Sequence, residues 1–103
     1  MDITHLDNAK PFDPEKFAAG PLLKGDRTTA ITIRLAPGQE MPGHNHGTGE
    51  LMLFAVEGIA TLDAGDGRVE FPAGSLAHLV GNETLSLTNN GSVGVTLLAI
   101  LAR

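Results

Sequence analysis

The stretch Glu50-Leu51-Met52-Leu53-Phe54-Ala55-Val56-Glu57 is apolar at odd and even positions alike between its two terminal glutamates. A strand with one wet face alternates apolar and polar residues. A run apolar on both faces therefore suits a strand buried in a closed or doubly covered sheet. Gly49 and Gly58 punctuate its ends. Downstream, 59–63 and 68–71 flank a Gly65-Asp66-Gly67 turn and read as a short hairpin, which Pro72-Ala73-Gly74 closes. Residues 76–80 and 84–88 follow as two short strands separated by Gly81-Asn82. Asn89-Asn90-Gly91 then turns the chain into a last strand at 93–101.

Upstream, residues 26–36 alternate. Thr29, Ile31, Ile33 and Leu35 share one face, and Thr28, Ala30, Thr32 and Arg34 the other. Pro37-Gly38 turns the chain, and Pro42-Gly43 leads toward a histidine pair with little regular pattern. Residues 1–25 are interrupted by Pro11, Pro14, Gly20, Pro21 and Gly25, which predicts an irregular arm with one helical turn around 13–19. The expectation is seven or eight short strands with no helix long enough to cover a sheet. The fold class is then all-β, a sandwich or jelly-roll barrel over 26–103 preceded by the arm.

Composition narrows the function. At 103 residues the chain has the size of one domain. Its 13 glycines, nearly double average usage, fit a turn-rich β chain. Four Phe with no Trp or Tyr supply no base-stacking platform. Only seven Lys and Arg against a net charge of −5 argue against nucleic acid and against electrostatic membrane docking. No apolar run approaches the ~20 residues of a membrane-spanning helix, and the first residues lack a secretory pattern, so a cytoplasmic location is expected. Without cysteine, disulfides, thiolate ligands and cysteine nucleophiles are excluded.

The chemistry concentrates in Gly38-Gln39-Glu40-Met41-Pro42-Gly43-His44-Asn45-His46-Gly47-Thr48-Gly49-Glu50, joined by His78 beyond the Pro72-Ala73-Gly74 turn. Three imidazoles and a carboxylate form a common ligand set for a divalent transition metal. Residues two apart on a strand point the same way, so His44 and His46 can face one point, and Glu50 shares their parity. With Glu50 inward, Met52, Phe54 and Val56 would point inward too, giving an apolar interior beneath the ion. His78 would close the set, flanked on its own face by Leu76 and Val80. Each residue also has a plainer reading. His-x-His pairs are often polar loops, a lone His78 is more often a satisfied histidine, Glu50 a surface carboxylate, and His5 a solvated residue without a role.

These residues resemble the cupins. That family's first motif runs Gly, five residues, His-x-His, three or four residues, Glu, about six residues, Gly. Gly38, His44, His46, Glu50 and Gly58 follow it, with the last gap one residue longer than the motif's. The second motif runs Gly, five residues, Pro-x-Gly, two residues, His, three residues, Asn. Pro72, Gly74, His78 and Asn82 echo it, with Asp66 in place of the leading Gly and three residues between Gly74 and His78. An extra residue inside a strand would flip His78 to the opposite face. The intact gap from His78 to Asn82 places the insertion in the 74–77 turn instead. The resemblance implies a small single-barrel cupin, a double-stranded β-helix often paired as a homodimer. It further implies one ion of Fe, Mn, Ni, Zn or Co held by His44, His46, Glu50 and His78.

Two functions from different classes follow. One is a metal-dependent enzyme, an oxygenase or an isomerase or lyase, acting on a small molecule. Glu50, or else Glu57 or a metal-bound hydroxide, would handle protons, and Arg34, Met52, Phe54, Leu76 and Val80 would line the substrate pocket. Arg34 could clamp a carboxylate, although a solvated strand face is the commoner role for such a residue. The other is a non-catalytic module that binds a small ligand or senses a metal. A third, structural reading is an empty barrel whose histidines only hydrogen-bond. The run at 95–101, apolar on both faces, adds the expectation of a two-fold partner.

Overall fold

The alternation at Thr28–Leu35 becomes a strand whose Ile33 and Leu35 are buried on one face while Arg34 stands on the other. The computed structural model describes residues 1–45, 47–65, 67–80 and 82–103; His46, Asp66 and Gly81 lie outside the described residues. Nine strands form among the described residues: β1 Ala18–Lys24, β2 Thr28–Leu35, β3 Glu40–His44, β4 Glu50–Glu57, β5 Ile59–Asp63, β6 Arg68–Pro72, β7 Leu76–Val80, β8 Leu85–Thr88 and β9 Val95–Ala102. They build two antiparallel sheets, one ordered β1-β2-β9-β4-β7 and the other β3-β8-β5-β6.

The core lies between the sheets. Leu35, Leu53, Leu97 and Val95 come from the five-stranded sheet, and Leu87, Ala60 and Phe71 from the four-stranded one. Fully buried leucines such as these contribute about 1.5–3 kcal/mol each through removal from water. The register is continuous along β2 and β9, where Ile33 pairs Leu97 and Leu35 pairs Val95. Gly58 makes the turn from β4 to β5 with φ +78°, and a Cβ there would lie 2.4 Å from the Gly94 carbonyl oxygen, so only glycine fits. Asn89, fully buried, donates from Nδ2 to the Leu35 and Val93 carbonyls (2.9 Å each) and accepts from the Gly91 N–H (2.9 Å), closing the turn before β9.

Three expectations are corrected here. The arm is not irregular throughout: its helical turn is a 3-10 turn at Leu6–Asn8 rather than at 13–19, and Ala18–Lys24 pairs β2 as an edge strand. An edge tolerates Pro21, which cannot donate to a ladder, and the register slips between Pro21 and Leu23. The segment at Glu40–His44 is a strand despite Pro42 and Gly43, paired to β8 with a register shift between Met41 and His44. Finally, β4 is buried on one face only: Leu51, Leu53 and Ala55 are core, while Met52 and Phe54 are exposed.

Arg34 pins the arm down. Its Nη1 donates to the Lys10 carbonyl (3.2 Å), its Nη2 to the Leu6 carbonyl (3.5 Å), and its guanidinium lies 5.5 Å from the centre of the Phe12 ring. Phe12 in turn covers Gly94, where a Cβ would come within 2.7 Å of the ring. Among the described residues no helix is long and apolar enough to cross a membrane.

Candidate ligand pocket and the placement of the expected metal residues

The inward side chains of β2, β4 and β9 do not meet those of β3 and β8 at one end of the barrel. They leave a cavity of about 520 Å³. Its walls are apolar: Ile31, Ile33, Leu51, Leu85, Ala99 and Leu101 face it, and Phe17 and Ala19 add the edge beside β1. His44, at the end of β3, is exposed to solvent yet also lines the cavity. Its Nδ1 lies 3.2 Å from the Pro42 carbonyl oxygen. Among the described residues lining the cavity, His44 alone is titratable.

Glu50 and His78 meet, but on the other side of the sheet. β4 and β7 pair Leu51 with Leu79 on the core face, and Met52 with His78 and Glu50 with Val80 on the outward face. On that outward face Glu50 Oε1 lies 2.7 Å from His78 Nε2, with the two side chains 66% and 47% exposed respectively. The inward direction expected for Glu50, Met52 and Phe54, and the pocket role of Leu76 and Val80, are therefore corrected. All are exposed on the outer surface. Arg34 likewise does not reach the cavity, because it faces outward and holds the arm.

The physical reason is register. Side chains alternate with period two, so a shift of one residue changes faces. Counting back from Gly58 with the six-residue gap of the cupin motif reaches Leu51, not Glu50, and counting forward from Gly74 with its two-residue gap reaches Ala77, not His78. Leu51 and Ala77 pack with the core. The turn at 72–75 does not absorb the insertion, because β7 begins at Leu76 and pairs β4 without a bulge.

The donor set thus does not fit a four-ligand ion inside the barrel. Among the described residues no group of three or more His, Cys, Asp or Glu is placed to hold a metal ion. His46, the remaining expected ligand, lies outside the described residues. The wall residues Ile31, Leu51, Ala99 and Leu101 are not among the site residues expected from sequence. For Leu51 a signal exists in the two motif gaps, each one residue too long.

No protein-family model and no curated relative matches the sequence. Solved structures do match. The protein TT1209 of Thermus thermophilus is 24% identical with a TM-score of 0.90, covering 99% of this chain and 97% of that one. A protein with a double-stranded β-helix domain from Klebsiella pneumoniae is 20% identical with a TM-score of 0.89, covering 99% and 90%. An RmlC-like cupin of Desulfovibrio desulfuricans is 22% identical with a TM-score of 0.86, covering 99% and 96%. The chain has the cupin fold, a double-stranded β-helix in a single small barrel.

Proposed function

We propose that this chain is a non-catalytic module that binds one small, predominantly apolar molecule inside the barrel, with His44 as its polar contact. The observation that carries the reading is the cavity of about 520 Å³, walled by aliphatic side chains and bordered by a single titratable group among the described residues. Its size falls within the ~300–1,000 Å³ typical of small-molecule sites, and such sites combine apolar walls with a few polar groups that set orientation. Burial of the ligand's apolar surface would supply the affinity, at roughly 25 cal/mol per Å² before the costs of association.

A metal-dependent enzyme is the less supported reading. Its ligand positions inside the barrel carry Leu51 and Ala77, and general acid–base chemistry would need a second titratable group beside His44.

The test is titration with N-phenyl-1-naphthylamine, a neutral apolar fluorophore, followed by emission enhancement. Saturable binding is expected, weakened in Ala19→Trp, which fills the cavity from the edge strand, with the fold checked by circular dichroism. Absence of saturable binding, or equal binding by a folded Ala19→Trp chain, would overturn the proposal.

A further inference from the structure

The cavity continues beneath the edge strand β1. Ala19, Ile31 and Leu101 form part of its wall and also wall a groove of about 400 Å³ that runs on along the inward face of β1, β2 and β9. Strand register makes the two continuous. Ala19 pairs Ile33, Pro21 pairs Ile31, and Thr29 pairs both Lys24 and Leu101, so these side chains share the inward parity. The register shift between Pro21 and Leu23 is what brings Lys24 to that face. Without it Leu23 would oppose Thr29 and look into the groove, and Lys24 would look away. An irregularity of this kind re-aims a side chain, and here it exchanges an apolar residue for a cation.

The far end of the groove is cationic in an acidic chain. Lys24 and Arg103 border it, and the Arg103 N–H donates to the Arg27 carbonyl (2.8 Å). Three of the seven Lys and Arg thus sit together in a chain whose net charge is −5. Asp26, the carboxylate of the same turn, is exposed and does not line the groove. Among the described residues neither Lys24 nor Arg103 forms an ion pair. Arg103 Nη2 donates to Thr29 Oγ1 (3.4 Å), which holds the guanidinium beside the groove and leaves its other donors for a planar anion.

We infer that the ligand is an amphiphile with a single alkyl chain and one carboxylate, its tail in the cavity and its carboxylate at Lys24 and Arg103. The inference rests on the proposed role of the cavity and adds the charged end of the molecule held there. A carboxylate buried between the sheets would lack partners for its charge, whereas at the exposed end of the groove it keeps water and gains two cations. The length is set by β2. From Ile33 to Thr29 the strand advances about 13 Å, which a dodecyl chain spans, since three extended backbone bonds cover about 3.6 Å.

The test is calorimetric titration of the full chain with laurate and with dodecyltrimethylammonium, each below its micelle concentration. The net charge draws the cation and repels the anion, so a preference for laurate has to come from local cations. Laurate should displace N-phenyl-1-naphthylamine and bind roughly 10-fold or more tightly than the cationic amphiphile. A Lys24→Gln, Arg103→Gln double variant should lose that preference and still bind the fluorophore as the native chain does. Both residues are exposed, so the fold should be kept, as circular dichroism would verify. Arg68→Gln, on β6 in the other sheet, is the control and should bind laurate as the native chain does. Fluorophore that laurate fails to displace, or a laurate preference that survives the double variant or falls equally in Arg68→Gln, overturns this inference and leaves the cavity reading standing. Absence of saturable fluorophore binding removes the cavity reading and this inference with it. Cosedimentation with phosphatidylglycerol vesicles that is lost in the double variant would make the partner a lipid surface and overturn the assignment of a free ligand.

Discussion

The two faces of β4 and β7 carry side chains of similar character and have opposite fates. Leu51, Leu53 and Leu79 sit in the core, while Met52, Phe54, Leu76 and Val80, one residue away along the same strands, remain in water. Hydrophobicity alone does not distinguish these sets. What separates them is parity against the rest of the barrel. Ile33, Leu35, Leu97 and Ala99 establish which face of the sheet is inward, and pairing to β9 fixes β4 to that choice. The same parity carries Glu50 and His78 outward and leaves the cavity bordered by His44 alone among the described titratable residues.

Substitutions on the two faces should therefore differ sharply. Leu53→Ala, at a fully buried position, should destabilise the chain by about 2–5 kcal/mol in urea unfolding, through lost transfer energy and the cavity left behind. A cost under about 1 kcal/mol would show that β4 presents its other face to the core. Arg34→Met should cost about 1 kcal/mol, since its hydrogen bonds to Lys10 and Leu6 are partly exposed. Hydrogen exchange should then accelerate at residues 6–13 while β2 and β9 stay protected; uniform acceleration would show that the arm is integral to the barrel. Glu50→Gln and His78→Gln should each change stability by less than about 1 kcal/mol, as is usual for an exposed pair, and leave fluorophore binding unaltered. A large loss of binding in either would return those side chains to the pocket.

Much of the fold was legible. Alternation located β2, and turn residues bounded β4, β5 and β7 as observed. Two strands were not legible. Ala18-Ala19-Gly20-Pro21 has no strand propensity and becomes β1 through pairing to β2, and β3 contains Pro42 and Gly43. The range of β4 was clear and its facing was not, because a run apolar at both parities carries no directional information. There the parity shared by His44, His46 and Glu50 pointed the wrong way. Asn89 looked like one more turn residue, and its three hydrogen bonds to Leu35, Val93 and Gly91 appear only once the chain is folded. Of the expected site, His44 reaches the cavity and the Glu50–His78 contact forms, on the opposite side of the sheet.

Paramagnetic NMR tests the placement most directly. The methyl-labelled chain would be titrated with cobalt(II) beside a Leu51→Glu, Ala77→His double variant that puts a carboxylate and an imidazole at the inward positions. The native chain should show no pseudocontact shifts that saturate at one equivalent and place the ion between the sheets, whereas the double variant should show them at the Leu79 and Leu101 methyls. Saturating shifts in the native chain that locate the ion inside the barrel, and that vanish in Glu50→Gln and His78→Gln, would contradict the account.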